Sequence, residues 1–132
     1  MIVADTSAWV EFLRGTGSTT CNALDELLAG EIAICDAISM EVLAGARGEQ
    51  HLVELRGLLA RATLIPTTSA DYDEAAALYR VCRRAGDTVR KLIDCLIAAV
   101  AIRDGAQLLH ADRDFTVLAR NAELLVHPAS LA

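Results

Sequence analysis

Several acidic side chains interrupt apolar segments of the chain at positions where a parallel sheet would gather them. Asp5 follows the apolar run Ile2–Ala4, and Asp112 comes shortly after the run Gln107–Leu109, with Asp114 two residues further on. Ligands of parallel α/β sheets bind beyond the carboxyl ends of the strands, so acids that follow strands are the first candidates for a site. We therefore expect these three carboxylates at one edge of the sheet.

Two more acids, Glu41 and Asp94, are expected in the first turns of helices that begin at the same edge. A helix N-terminus favours an exposed carboxylate by about 0.3 to 1 kcal/mol. Each acid taken alone could have only a structural role. Glu41 and Asp94 could be charges that stabilise helix starts, Asp5 and Asp112 could cap the helices that follow them, and Asp114 could be a helix N-cap. We favour a shared site because four of these acids, Asp5, Glu41, Asp94 and Asp112, each reach one edge of one modest domain independently.

A cluster of ionised carboxylates requires either protons or a cation. Two like charges about 4 Å apart repel by about 4 kcal/mol at an effective dielectric constant near 20. Carboxylate oxygens without cysteine or neighbouring histidine partners suit Mg²⁺ or Mn²⁺ better than zinc. Such ions commonly serve phosphoryl transfer, where they activate water and stabilise the leaving oxygen. The acid set therefore predicts a metal-dependent phosphoryl-transfer site.

Short apolar runs alternate with segments of helical period, which predicts a parallel sheet covered by helices on both faces. Strands are expected at Ile2–Ala4, Ile32–Cys35, Thr63–Ile65, Gln107–Leu109 and Leu124–Val126. Helices are expected at Ala8–Leu13, Thr20–Ala29, Ser39–Ala46, Gln50–Arg61, within Ser69–Gly86, and at Leu92–Arg103. The expected buried stripes are Tyr72, Ala75, Ala76, Tyr79 and Cys82 in the fifth helix, and Leu92, Ile93, Leu96, Ile97 and Val100 in the sixth.

Length and composition limit the class of protein. A chain of 132 residues, 54% hydrophobic and 23% charged, fits a single domain over residues 1–132. Its longest apolar run, Cys95–Ile102, is too short to span a membrane, and no secretory signal is visible at the N-terminus, so we expect a cytoplasmic protein. The four cysteines form no metal-binding or redox spacing and are expected to be reduced and buried.

The charge distribution allows a nucleic-acid substrate in spite of the net charge of −6. The segment from Arg80 to Lys91 contains five basic side chains and one acid, and it leads directly into the helix of Asp94. It could grip a phosphate backbone, or it could be a solvated helix end. Arg90 and Arg113, which flank the acids, and then Arg84, are the candidate nucleic-acid contacts. Aromatic residues make up only 4% of the chain, so a base-stacking surface is not expected.

Four segments resemble, in order and in spacing, the motif blocks of PIN-domain ribonucleases and in particular of VapC toxins of bacterial toxin–antitoxin pairs. The segments are Asp5–Trp9, Ile38–Ala46, Asp94–Ala99 and His110–Phe115, and the resemblance covers essentially the whole chain. It implies a three-layer α/β/α sandwich with a short parallel central sheet. It also implies cleavage of RNA by a metal-activated water, a cognate VapB-type antitoxin, and a homodimer or a toxin–antitoxin hetero-oligomer.

The resemblance also implies roles for the acids. Asp5, Asp94 and Asp112 would hold Mg²⁺ or Mn²⁺, and Asp114 matches a further acid of the last motif that could join them. Glu41 would orient or deprotonate the attacking water, so that the catalytic set is Asp5, Glu41, Asp94 and Asp112. The Thr6 hydroxyl could support the metal site or cap the first helix. Trp9 and Phe12 are expected in the core, with an antitoxin groove as their other possible location, and His110 is expected to be structural.

Three other functions fit the sequence less well. A phosphatase of the haloacid-dehalogenase type needs an acid two residues after Asp5, where Ser7 stands. A phospho-acceptor receiver domain needs adjacent acids after the first strand and a lysine after a late strand, whereas the only lysine is Lys91. The serious alternative is a non-catalytic PIN-like module that binds RNA or protein, in which the acids are structural caps.

Overall fold

The computed structural model describes residues 1–131, which form five strands and seven helices. The strands are β1 (Ile2–Ala4), β2 (Ala33–Cys35), β3 (Thr63–Ile65), β4 (Gln107–Leu109) and β5 (Leu125–Val126). The helices are α1 (Thr6–Arg14), α2 (Thr19–Leu27), α3 (Asp36–Ala44), α4 (Glu49–Leu59), α5 (Ser69–Arg84), α6 (Leu92–Asp104) and α7 (Arg113–Asn121). All five strands predicted from the apolar runs are confirmed. No helix within residues 1–131 has both the length and the apolar character that a bilayer crossing requires.

The sheet is parallel throughout and has the strand order β3-β2-β1-β4-β5. Parallel crossover connections are right-handed, which places α1 to α4 on one face of the sheet and α5 to α7 on the other. The helix contacts agree, because α1 packs on α2 and α3, whereas α5 packs on α6 and α7. The α/β/α sandwich with a short parallel central sheet is therefore confirmed.

The strand order reverses between β1 and β4, so β1 lies beside a strand that comes much later in the sequence. The connection after β1 runs toward β2, whereas the chain after β4 continues to β5 on the opposite side. Val3 is in register with Leu108, and the Asp5 amide donates a hydrogen bond to the Leu109 carbonyl at 2.9 Å. A crevice forms where neighbouring connections diverge in this way. Asp5 and Asp112 both lie at its edge.

Local signals set several helix boundaries. Asp5 caps α1 by accepting a hydrogen bond from the Ser7 amide, and Gly15 ends that helix in the left-handed conformation. Asp112 caps α7 in the same way through the Asp114 amide, which confirms a helix after this acid. The alternatives that Thr6 or Asp114 provides these caps are wrong, because each lies inside the helix that it would begin.

The core lies between the sheet and both helix layers, and its members differ from the predicted buried stripes of α5 and α6. Trp9 is completely buried, so it is a core residue and does not line a groove. Tyr72 and Leu92 were expected on buried faces but are 62% and 60% exposed, and Ala76 is exposed as well. These three side chains line an open apolar groove between α3, α5 and α6 that one copy of the chain does not fill.

The position of Glu41 within its helix also differs from the prediction. We expected α3 to begin at Ser39, which would place Glu41 in the first turn. The helix begins at Asp36, directly after β2 ends at Cys35, so Glu41 lies in the second turn. Asp94 is the third residue of α6 and lies in its first turn, as predicted. All four cysteines are free and buried, which confirms the expectation for the thiols.

Candidate active site

Three aspartates from two helix N-termini form one group at the crevice. Asp94 lies in the first turn of α6, whereas Asp112 caps α7 and Asp114 lies in the first turn of that helix. One carboxylate oxygen of each lies within 4.8 Å of the others, a spacing at which the three could hold a metal ion. Asp94 and Asp114 are buried, and Asp112 is half-buried, so the group opens to solvent on the side of Asp112.

Ser7 fixes Asp5 beside this group. Its backbone amide donates to Oδ2 of Asp5 at 2.9 Å, and its hydroxyl donates to the same oxygen at 2.5 Å. The same hydroxyl accepts a hydrogen bond from the Ala111 amide at 2.9 Å. Ser7 therefore joins the first turn of α1 to the loop after β4. Ser7 was not among the predicted site residues, although its place two residues after a helix-capping aspartate is a signal of such a contact.

Glu41 reaches the site from α3 through Thr6. The Thr6 hydroxyl donates to Oε1 of Glu41 at 2.7 Å, and the negative charge of Glu41 acts on Asp5. Glu41 is half-buried, so its carboxylate is restrained but still open to solvent. Thr6 thus positions an acid of the neighbouring helix.

Burial and crowding shift the proton affinities of the acids in opposite directions. Desolvation, followed by a hydrogen bond with Asp114 and the charge of Asp5, raises the pKa of Asp94 to about 9. Desolvation also raises the pKa of Asp5 to about 6. For Asp112 and Asp114 burial acts in the same direction, but hydrogen bonds and neighbouring cations outweigh it, so each pKa lies below its usual value. The site therefore combines ionised and protonated carboxyls in the absence of a metal.

The donor set fits a hard divalent cation. Oδ1 of Asp5 and Oδ2 of Asp94 are buried and accept no hydrogen bond from any residue within 1–131. Buried carboxylate oxygens normally have partners, so an oxygen without a donor requires a proton or a cation. The group supplies only carboxylate oxygens, which Mg²⁺ and Mn²⁺ prefer over the nitrogen and sulfur ligands typical of zinc.

Two consecutive basic residues contact the acids from the segment before α6. The Arg90 guanidinium donates to Asp112 at 3.0 Å and to Asp114 at 3.2 Å. The Lys91 ammonium lies 3.1 Å from Oδ2 of Asp112 and 3.8 Å from Oδ2 of Asp94. Asp114 in turn accepts the backbone amides of both basic residues, each at 3.0 Å. It therefore anchors this segment as well as belonging to the acid group.

The predicted nucleic-acid contacts lie in different surroundings. Arg113 is exposed, forms no ion pair with any residue in 1–131, and lines a polar cavity of about 310 Å³ beside Arg90 and Arg120. Arg84 is exposed at the end of α5 and does not line this cavity. Arg120 was not among the predicted contacts, and it is held by Asp87 at 3.0 Å.

His110 has a structural environment. It is completely buried against Phe115, and its Nδ1 accepts the Asp112 amide at 3.2 Å. Desolvation lowers its pKa to about 4, so the ring is neutral at physiological pH. The ring therefore holds the loop that presents Asp112.

Comparison with known proteins places this geometry in a family. The family model of the PIN domain matches residues 2–121. Ribonuclease VapC11 of Mycobacterium tuberculosis and VapC ribonuclease Mb1587 of Mycobacterium bovis are each 46% identical over 128 residues, which cover 94% of this chain and 96% of theirs. A solved structure of VapBC2 from Rickettsia felis, bound to a DNA fragment from the promoter of the pair, has the same fold. Its TM-score is 0.77 at 22% sequence identity, and the match covers 96% of this chain and 98% of that one. The chain therefore belongs to the PIN-domain family and, within it, to the VapC ribonucleases.

Proposed function

We propose that this chain is a Mg²⁺- or Mn²⁺-dependent endoribonuclease that acts as the toxin of a toxin–antitoxin pair. The observation that carries the proposal is the pair of buried carboxylate oxygens on Asp5 and Asp94, beside Asp112 and Asp114, that have no hydrogen-bond donor within residues 1–131. A site made only to cap helices would satisfy these oxygens with backbone amides, as it does for Oδ2 of Asp5. The 46% identity to ribonucleases supports the same reaction.

The proposed roles follow from the contacts of each acid. Asp5, Asp94 and Asp112 would hold the cation, and Asp114 belongs to the same ligand group while it also anchors the segment of Arg90. A divalent cation held there would acidify the attacking water and stabilise negative charge on the scissile phosphate. Glu41, restrained by Thr6 and open to solvent, would orient that water or accept its proton.

The proposed partners are RNA and a VapB-type antitoxin. The basic side chains that border the acid group, Arg113 and Arg90 with Arg84 further away, would contact the phosphate backbone of the RNA. The solved Rickettsia felis neighbour is a toxin–antitoxin complex, which supports an antitoxin partner for this chain. We propose that residues 1–132 act as one domain, in a homodimer or in a hetero-oligomer with the antitoxin. We also propose that the protein acts in the cytoplasm, where its RNA substrate is present.

The test is cleavage of structured RNA by the purified chain without its antitoxin. We expect cleavage with Mg²⁺ or Mn²⁺, none with EDTA, and a loss of at least about 100-fold in Asp5→Ala and Asp94→Asn, because each removes a ligand. Asp73→Asn is the matched control, since Asp73 is an exposed acid of α5 outside the site. RNA binding without cleavage at any metal concentration would favour the non-catalytic module, and cleavage in EDTA would reject the metal mechanism.

A further inference from the structure

The Lys91 ammonium lies between two acids of the proposed metal site. Its Nζ is 3.1 Å from Oδ2 of Asp112 and 3.8 Å from Oδ2 of Asp94. The second of these oxygens is buried and has no hydrogen-bond donor within residues 1–131. The positively charged Lys91 ammonium therefore lies between two of the proposed metal ligands.

Lys91 differs from Arg90 in how firmly it is held. The backbone amides of both residues donate to Asp114, but the Arg90 guanidinium adds two directed hydrogen bonds, from Nε to Asp114 and from Nη2 to Asp112. Within residues 1–131 the Lys91 side chain makes only the two ammonium contacts, and it does not cap α6. It can turn into solvent without leaving any group of its own buried and unpaired.

We propose that Lys91 is a built-in counter-ion of the acid group that competes with the divalent cation and leaves the group when the cation binds. The inference rests on the proposed function, because it regulates the same site. While the metal is absent, Lys91 neutralises part of the acid charge. When the metal is present, the ammonium is repelled by the larger charge of the ion and is released to the mouth of the site. Metal affinity is therefore lower than the acids alone would give.

The expected size of the effect follows from the exposure of the lysine. An ion pair with an exposed partner contributes up to about 1 kcal/mol, which corresponds to about a fivefold change in an equilibrium constant. The contact with Asp112 at 3.1 Å is lost when the metal binds, and the longer contact with Asp94 at 3.8 Å adds less. Neutralising Lys91 should therefore tighten metal binding by about five- to tenfold.

The first experiment is calorimetric titration of Mn²⁺ into the full chain without RNA, for wild type and Lys91→Met. Methionine keeps an unbranched apolar stem and removes the charge. Arg56→Met is the matched control, because Arg56 is an exposed cation of α4 without an ion pair among residues 1–131. We expect a five- to tenfold lower Kd for Lys91→Met and an unchanged Kd for Arg56→Met.

The outcomes separate this inference from the proposed function. Equal Mn²⁺ affinity in wild type and Lys91→Met, or weaker binding in the variant, overturns the role of Lys91 and leaves the metal site standing. Absence of Mn²⁺ binding in both proteins overturns the proposed function, and the inference with it. An equal gain in Arg56→Met would show a general charge effect and would also overturn the inference.

A second experiment follows the lysine directly, since Lys91 is the only lysine of the chain. Labelling with ¹³C,¹⁵N-lysine yields one side-chain spin system in the NMR spectrum. We expect saturating Mg²⁺ to move its Cε and Nζ resonances toward those of free lysine, with no such movement in Asp94→Asn. Side-chain resonances that stay unchanged while Mg²⁺ shifts the labelled backbone amide of Lys91 would overturn the proposal.

Discussion

Asp94 shows how one buried carboxyl couples the site to the stability of the molecule. Its pKa is 3.8 in its ordinary state and about 9 in the fold, so the folded, metal-free protein binds more protons than the unfolded chain between these values. Stability must then fall as the pH rises through this interval. Asp5 acts in the same direction up to a pH of about 6, whereas His110, whose pKa falls from 6.5 to about 4, acts in the opposite direction below 6.5.

Between pH 6.5 and 8 the titration of Asp94 should dominate. This interval lies above the ranges of Asp5 and His110 and below that in which the cysteines of the unfolded chain ionise. We expect the free energy of unfolding of the metal-free protein to fall by up to about 1.4 kcal/mol per pH unit, and to be nearly independent of pH in Asp94→Asn. Urea denaturation in EDTA measures both slopes, with Asp73→Asn as the control. A slope in Asp94→Asn that equals the wild-type slope would contradict the assignment.

At the scale of elements, one charged clamp joins α5 to α6, the helix that presents Asp94. Arg103 donates to both carboxylate oxygens of Asp71, at 2.8 and 3.0 Å, and to the carbonyl of Pro66 at 2.7 Å. Asp71 is buried and also accepts the Thr68 amide, which completes the capping box of α5. A single arginine thus joins the end of α6, the start of α5 and the loop after β3.

Removing the arginine should leave the buried Asp71 carboxylate without its main partner. We expect Arg103→Met to lower the free energy of unfolding by about 2 to 4 kcal/mol, because an unpaired buried charge is costly. Arg80→Met is the matched control, since Arg80 is an exposed cation of α5 without an ion pair among residues 1–131. Urea denaturation measures the difference, and an equal effect of the two variants would contradict the clamp.

At the scale of the whole molecule, charge is distributed unevenly around a net value of −6. Acids occupy the crevice, whereas Arg90, Arg113 and Arg120 line the polar cavity next to it. Arg113 is the member of this group that forms no ion pair within residues 1–131, so it can bind a phosphate without breaking a contact. RNA binding should therefore depend on a few cations rather than on the overall field.

Arg113→Ala should weaken RNA binding several-fold. Its loss removes about one phosphate contact, so the slope of log affinity against log salt should become shallower by about 0.7 to 0.9. The measurement is fluorescence anisotropy with structured RNA at several salt concentrations, in an Asp94→Asn background that prevents cleavage. Arg56→Ala is the control, and the same loss of affinity and slope in that variant would contradict a specific contact at Arg113.

The sequence predicts the framework of this fold better than its contacts. Each strand is a short, largely apolar run, and the spacing of those runs is a local property of the chain. The start of α3 was misplaced because Asp36 follows β2 directly, and no capping residue marks that boundary. The apolar side chains of Tyr72 and Leu92 fit the helical period, but burial depends on what faces a helix, and no segment within residues 1–131 covers them.

The same limit applies to the site. The acids could be located because they interrupt apolar runs at strand ends and helix starts. The bridge of Ser7 to Ala111 and the contact of Lys91 with two acids depend on side-chain directions across loops that are distant in the chain. The spacing of three residues indicates only that the side chains of Lys91 and Asp94 can contact each other at the start of α6.

The pairing of β1 with β4 determines when the acid set can assemble during translation. Asp5 leaves the ribosome well before its neighbours Asp112 and Asp114, because Asp112 follows it by 107 residues in the chain. Until β4 has emerged and docked beside β1, the nascent polypeptide holds isolated acids with no shared crevice. A chain whose synthesis stops before β4 would therefore lack the complete acid set on which the proposed cleavage depends.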